Sequence, residues 1–309
     1  MTEGSAARRG REGFGAADAL LVGATAAWGA SFAVAKPLVA FIEPAFVSGG
    51  RYLMAALLLF AWMGVTRESF AVGRRDLIRL FMLGVFGFGL FQGLWGVGLA
   101  YTTAAKSAIL MSTSPIFGAL FARLRGEPVG GLAFAGVLIA FAGVFLLMND
   151  SLSEFRLAGG TWLGDAIWLV NGALWAVVSA ASRPVVAELG AVRTTAWSAL
   201  FGGGALVLAT APFAAQDDWS QLQPGHAWNV AFLTLVAGAF AQLAYYRGLG
   251  RIGLARTIAY MYLVPVFGVA TALLALGEPF GPVQGLGAAL TLAGVAAAQR
   301  GLSRASAGG

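Results

Sequence analysis

Long apolar runs, broken by short charged or Gly/Pro-rich punctuation, fill the chain from residue 18 to residue 299. They do not alternate apolar and polar positions, as the strands of a membrane β-barrel would. Each run is close to the roughly 20 residues that an α-helix needs to cross a hydrocarbon core. The pattern predicts helices over residues 18–40, 44–66, 77–100, 103–123, 130–149, 161–182, 194–214, 227–248, 253–275 and 280–299. The expected fold is an all-α membrane protein with about ten transmembrane helices.

The chain also matches itself. Residues 17–37 align with 164–184 at an offset of 147, pairing Asp18 with Asp165, Trp28 with Trp175, Lys36 with Arg183 and Pro37 with Pro184. Residues 106–118 align with 256–268 at an offset of 150, pairing Lys106 with Arg256, Pro115 with Pro265, Phe117 with Phe267 and Gly118 with Gly268. One residue later, Gly126-Glu127-Pro128 matches Gly277-Glu278-Pro279, Gly136 matches Gly287 and Gly143 matches Gly294. Single identities mean little in a chain with 44 glycines, but their order does. Five spans per repeat is an odd number, so the two repeats are expected to be inverted in the membrane, a transporter architecture. The expected layout is a cytoplasmic tail over 1–17, a first repeat over 18–149, an external linker over 150–160, a second repeat over 161–300 and a tail over 301–309.

Composition removes the soluble alternative. Hydrophobic residues make up 59% of the chain and charged residues 11%, against roughly 25% charge in a soluble domain. There is no Cys and a single His, so disulfides, Cys/His metal sites and thiol chemistry are not expected, and no cofactor is implied. The net charge of +6 is dispersed. With the N-terminus inside, Arg8, Arg9, Arg11, Arg67, Arg74, Arg75, Arg79, Arg123, Arg125, Arg183, Arg193, Arg247, Arg251, Arg256, Arg300 and Arg304 fall in inner segments. The outer loops carry Glu43, Asp150, Glu154, Asp217, Asp218 and Glu278. This asymmetry follows the positive-inside rule for both termini cytoplasmic and argues against nucleic acid as a partner. The partners expected are the lipid bilayer of a bacterial-type inner membrane and a small-molecule substrate. Arg8, Arg9 and Arg11 before an apolar stretch and Ala33-Val34-Ala35 imitate a signal peptide. The run is longer than such a region and its end recurs in the second half, so it is assigned as a span.

The first half resembles the EamA repeat of the drug/metabolite transporter superfamily through Trp28-Gly29, Ser31-Phe32, Lys36, Pro44, Phe46, Arg51, Ala100-Tyr101-Thr102, Pro115 and Glu127. The second half carries Gly253-Leu254-Ala255-Arg256, Pro265 and Glu278 in the matching order. The likeness covers residues 18–299 and implies a ten-helix inner-membrane carrier, often an exporter of amino acids or other small metabolites.

Polar and aromatic residues inside the spans are the candidate pathway. Trp168, Asn171, Trp175 and Ser179 share one face of the sixth span, and Phe88, Gln92 and Trp95 one face of the third. Gln242 with Tyr245 or Tyr246 marks the eighth, and Trp28, Ser31 and Tyr260 join the set. Such a lining suits a neutral or amphipathic solute; the other reading is amide bonds between helices and an interfacial aromatic belt. Trp162, Trp219 and Trp228, near span ends, are assigned to that belt. Lys36, Arg51 and Lys106 either hold a substrate carboxylate or phosphate, or snorkel to the headgroups. Arg256, near the inner face, is assigned to snorkelling. Pro115 and Pro265 fall mid-span at equivalent positions and are candidate hinges. Glu127 and Glu278 mark helix ends. Asp18 and Asp165 are placed near interfaces, so no mid-span acid is available to carry a proton, and facilitated movement is expected.

No Walker A motif is present, and no nucleophile–base pair or metal cluster supports an enzyme. The sequence therefore reads as a secondary carrier moving small organic metabolites outward by alternating access. Import or exchange of a phosphorylated or nucleotide-linked solute is the alternative, ahead of a membrane-embedded enzyme or a non-transporting scaffold.

Overall fold

The computed structural model of the chain describes residues 15–114, 116–117, 131–148, 160–252, 260–261 and 263–307. Pro115, Glu127 and Arg256 lie outside these residues. Among the described residues there are helices and no strands. The helices are α1 (Ala16–Ala35), α2 (Pro44–Val65), α3 (Arg74–Tyr101), α4 (Ala104–Met111), α5 (Gly131–Met148), α6 (Trp162–Leu189), α7 (Ala191–Ala214), α8 (Pro224–Gly248), α9 (Leu263–Leu276) and α10 (Pro282–Ala307). Six stretches among the described residues are long and apolar enough to cross a membrane: α1 with its 3-10 extension to Ala40, α2, α3, α6, α7 and α8. The other apolar helices are shorter within those residues.

Local chemistry sets the ends. Glu43 accepts from the Phe46 backbone N–H, and Pro44 follows it at the first helical position, where no intrahelical bond is lost. Thr103 does the same for α4, accepting from the Lys106 backbone N–H at 3.1 Å. Gly190, at φ 80°, turns the chain between α6 and α7, and Gly277, at φ 62°, ends α9.

Two expected spans differ at their centres. The fourth stops at Met111 and restarts at Ser114 after a turn; in the described part of the ninth, Tyr260 is helical, Met261 is in a turn and a helix runs from Leu263. Pro265 is therefore not mid-helix. It sits in the first turn of α9, where its missing N–H would have had no helical partner. The α3 and α8 helices each contain a π-helical stretch, Leu83–Gly89 and Phe232–Phe240, at equivalent places. The sixth helix runs through Pro184 to Leu189, seven residues beyond its expected end at 182.

Helix packing repeats when the halves are exchanged. α1 packs on α8 and α9, while α6 packs on α3 and α4. α2 lies on α7, α4 on α9 and α5 on α10. Within the last pair, a methyl group added to Gly136 would meet Gly294 and Ala298, and one added to Gly143 would meet Gly287 and Thr291. Residue numbers rise along α5 as they fall along α10, so these equivalent helices run antiparallel. In the α2–α7 pair, Gly49 meets Gly203 and Leu206, while Leu53 meets Gly203. Farther along, Leu59 and Met63 cluster with Ala196, the same antiparallel sense.

Outward-facing positions stay apolar. Leu57, Trp62, Phe86, Phe134, Leu208 and Leu274 are exposed large side chains on the helices. Trp162, Trp219 and Trp228 are also exposed, close to helix starts.

Candidate functional site

A small cavity lies where α1, α2, α3, α4 and α6 meet α8, α9 and the segment before it. Its lining includes Trp28, Ser31, Arg51, Gln92, Trp95, Trp175 and Gln242 from the candidate set. Phe32, Tyr52, Phe91, Met111, Met261 and Val264 complete it.

Equivalent residues face each other across this space. Trp28 and Trp175 are separated by 147 positions, Gln92 and Gln242 by 150, and Met111 and Met261 by 150. Trp95 corresponds to Tyr245, which lies just behind the wall against Trp28, with ring centres 5.4 Å apart. The Trp28 indole donates at 3.0 Å to the carbonyl of Ala237, inside the π-helical stretch of α8. A π turn redirects its carbonyls to i+5 partners, and this indole docks onto one of them. Trp175 instead lies against Phe91 at 4.7 Å.

Arg51 breaks the symmetry. Residues 201–205 of α7, opposite in the repeat, read Phe-Gly-Gly-Gly-Ala and carry no charge. Arg51 is only 4% exposed. Its Nη2 donates to Gln92 Oε1 at 3.0 Å, and the guanidinium carbon lies 3.9 Å from the Trp95 ring centre and 4.9 Å from that of Tyr52. Its Nε is buried with no partner, as is the amide nitrogen of Gln242. Among the described residues no carboxylate pairs with Arg51. Cation–π contact and one amide oxygen offset part of the cost of burying the charge. An anion entering the cavity would supply the rest.

The other two cations in the set lie elsewhere. The Lys36 ammonium donates to the carbonyls of Leu99, Ala100 and Thr102, the unpaired acceptors at the end of α3. Lys106 is 1% exposed, with its Nζ 3.5 Å from Asp165 Oδ2 and 3.1 Å from Thr161 Oγ1. Thr102 donates to the second Asp165 oxygen. Neither snorkelling nor the cavity accounts for these two lysines; they bind helix ends and a buried acid. Asp165 and Asp18 are buried, each in the first turn of its helix. Asp18 accepts from Tyr260 Oη at 2.6 Å, which takes Tyr260 away from the cavity.

Glu278 is more than a helix-end marker. It accepts from the backbone N–H groups of Ala104 and Ala105 at 2.7 and 2.9 Å, holding the start of α4. Phe88 stacks edge-on against Tyr52 at 4.6 Å, behind the wall. Trp168 is wholly buried between Phe32 and Trp95, also behind it. Asn171 and Ser179 lie outside the lining, each with buried polar atoms lacking a partner.

The sequence matches the profile of the EamA-like transporter family twice, over residues 15–149 and 162–298. The chain belongs to the EamA-like transporter family. It is a membrane transporter of small solutes. An archaeal member, named an uncharacterized transporter of Archaeoglobus fulgidus, is 29% identical over 271 residues, covering 87% of this chain and 92% of that one. A protein of Streptantibioticus cattleyicolor named as a probable terminal-alkyne amino-acid exporter is 25% identical over 222 residues, 72% of each chain. A solved crystal structure, 20% identical, superposes with a TM-score of 0.65 over 93% of this EamA-like chain and 97% of its own, a likeness of fold.

The EamA-like cavity includes residues that pattern reading passed over. Phe32, Phe91, Met111, Met261 and Val264 are apolar residues in apolar runs, so polarity gives no signal. The repeat does give one for the methionines, since both fall within the aligned segments 106–118 and 256–268.

Proposed function

We propose that this EamA-like protein is a secondary carrier that exports small organic carboxylates, such as amino acids, by alternating access around the Arg51 cavity. The observation that carries this reading is the buried guanidinium without a carboxylate partner, walled by aromatic rings where the two halves meet. Arg presents a planar fork that matches a carboxylate, while Trp28, Trp95 and Trp175 offer faces to an apolar body. The name of the Streptantibioticus relative agrees with an amino-acid cargo and an outward direction.

In this reading the chain has ten spans in two inverted halves, with both termini cytoplasmic, in a bacterial-type inner membrane. The antiparallel α2–α7 and α5–α10 pairs support inversion. Alternating access then exchanges the two halves' conformations about a site that both build. Reporters fused after Arg74 should read cytoplasmic, and those after Asp217 external; a cytoplasmic signal at Asp217 overturns the topology.

Function is tested by flux in proteoliposomes. Saturable uptake of labelled amino acids, inhibited by other small carboxylates and not by their amides, is expected. Inhibition by organic phosphates with no effect of carboxylates would favour the phosphorylated-solute reading. Absence of saturable flux for either class overturns the carrier reading.

A further inference from the structure

We propose that the solute is an amphiphilic monocarboxylate whose apolar tail leaves the Arg51 cavity sideways, through a groove between α2 and α8 that opens toward lipid. The inference rests on the reading that Arg51 holds a carboxylate, and adds a substrate class and a route.

Arg51 stands between this cavity and a second one on the α2 side. Arg51 also lines a second space of about 600 Å³, whose walls include Ile42, Phe46, Val47, Gly50 and Met54. Apart from Arg51, the polar atom its lining side chains offer is the Trp219 indole N–H, already donated to the Ala214 carbonyl at 2.8 Å. Met54, Leu222 and Val230 then line a third space of about 1340 Å³ as well. That space lies on the outer surface of the bundle, beside the exposed side chains of Leu57, Leu58 and Leu235. Shared lining residues thus link the buried cation to an exposed groove on the outside of the bundle.

Polarity falls along this path in one direction. The head end has the guanidinium, Gln92 and Gln242; the middle is aliphatic and aromatic; the far end is exposed and mostly apolar, with Gln223, His226 and Thr234 among its walls. A sugar would leave the middle space in contact with nothing it can bond, whereas a carboxylate with an apolar tail, an amino acid of that kind included, fills it. A carboxylate with an alkyl or aryl tail satisfies both ends, its charge on Arg51 and its tail along Val47, Gly50 and Met54. Gly50 contributes to the width of this groove: a Cβ built there meets nothing within 4 Å.

The test uses labelled butanoate and octanoate, equilibrium dialysis and the purified full chain in lipid nanodiscs, with empty nanodiscs subtracted and free concentrations matched. A fully buried methylene contributes about fourfold in affinity. Octanoate is therefore expected to bind roughly tenfold or more tightly than butanoate. Gly50→Phe, which fills the groove from an open position, should bring octanoate down to the level of butanoate. Val47→Phe fills it from the preceding turn and serves if the first variant is unstable in thermal unfolding. Equal affinities in the wild-type chain, as expected of a groove occupied by bilayer lipid, overturn the inference. A chain-length gain that survives both fillings also overturns it. Arg51→Gln should abolish binding of both acids; unchanged binding of both would overturn the Arg51 reading instead.

Discussion

Two cations are buried in the same apolar bundle, and they are buried in opposite ways. Lys106 lies within reach of Asp165 and Thr161, in a cluster that joins α4 to α6 away from the cavity. Arg51 lies against aromatic faces and one amide oxygen, with its Nε unbonded, on the cavity wall. A charge whose counter-charge is supplied by the fold is part of the fold. A charge that the fold leaves short of partners, as it leaves Arg51, is what the proposed carboxylate would complete. Glutamines on the cavity wall repeat the lesson: Gln92 engages Arg51, while the amide nitrogen of its equivalent, Gln242, has no partner.

The contrast can be broken by mutation. Lys106→Ala strands the Asp165 carboxylate and should cost about 3–5 kcal/mol of stability. Lys106→Ala with Asp165→Ala should cost less than the sum of the singles, read by thermal unfolding of all three variants. Arg51→Ala should reverse that profile. Transport is expected to fall by roughly 30-fold or more, the loss typical of truncating one member of a charged hydrogen-bonded pair, while the unfolding midpoint holds or rises. Loss of stability in Arg51→Ala as large as in Lys106→Ala would make both cations structural and erase the difference.

Smaller effects sharpen it. Gly143→Val and Gly294→Val place a side chain against the opposing backbone of the α5–α10 pair, and each should cost about 1–3 kcal/mol through overpacking. Similar losses from the two are expected, because Gly143 and Gly294 are equivalent in the repeat and meet equivalent backbone. At the cavity, Gln92→Ala should weaken flux several-fold more than Gln242→Ala, since it alone withdraws a bond from Arg51. Equal effects of the two glutamine variants would mean that the cavity treats its halves alike.

Much of this arrangement is legible in the sequence, because burying polar groups in a bilayer is costly and so rare. Arg51, Gln92, Gln242, Trp28 and Trp175 stand out from their apolar runs, and the repeat offsets pair four of them. The same logic marks Lys36 and Lys106 without revealing their fates. A charge in an apolar run needs a partner, but whether that partner is three carbonyls, a buried acid or a substrate is decided by residues up to 66 positions away. Pro265 is a related case. Apolar periodicity continues through residues 253–275, so the helix start at Leu263 leaves no mark on it. Met111 and Phe91 line the cavity because of where backbones cross, and one-dimensional polarity carries none of that.

The π-helical stretches in α3 and α8 give those helices something that their neighbours lack. Each is a dislocation in an otherwise regular stack, holding surplus chain within a single turn. A dislocation can glide: one residue steps out of the wide turn at one end as another steps in, and the hydrogen bonds are exchanged, not lost. Because each residue of an α-helix is set about 100° from the last, one such step would turn the side chains it passes without unwinding the helix. Gln92 and Gln242 stand three and two residues beyond these stretches. The two amides on the cavity wall are thus mounted next to the places where such a step would turn them.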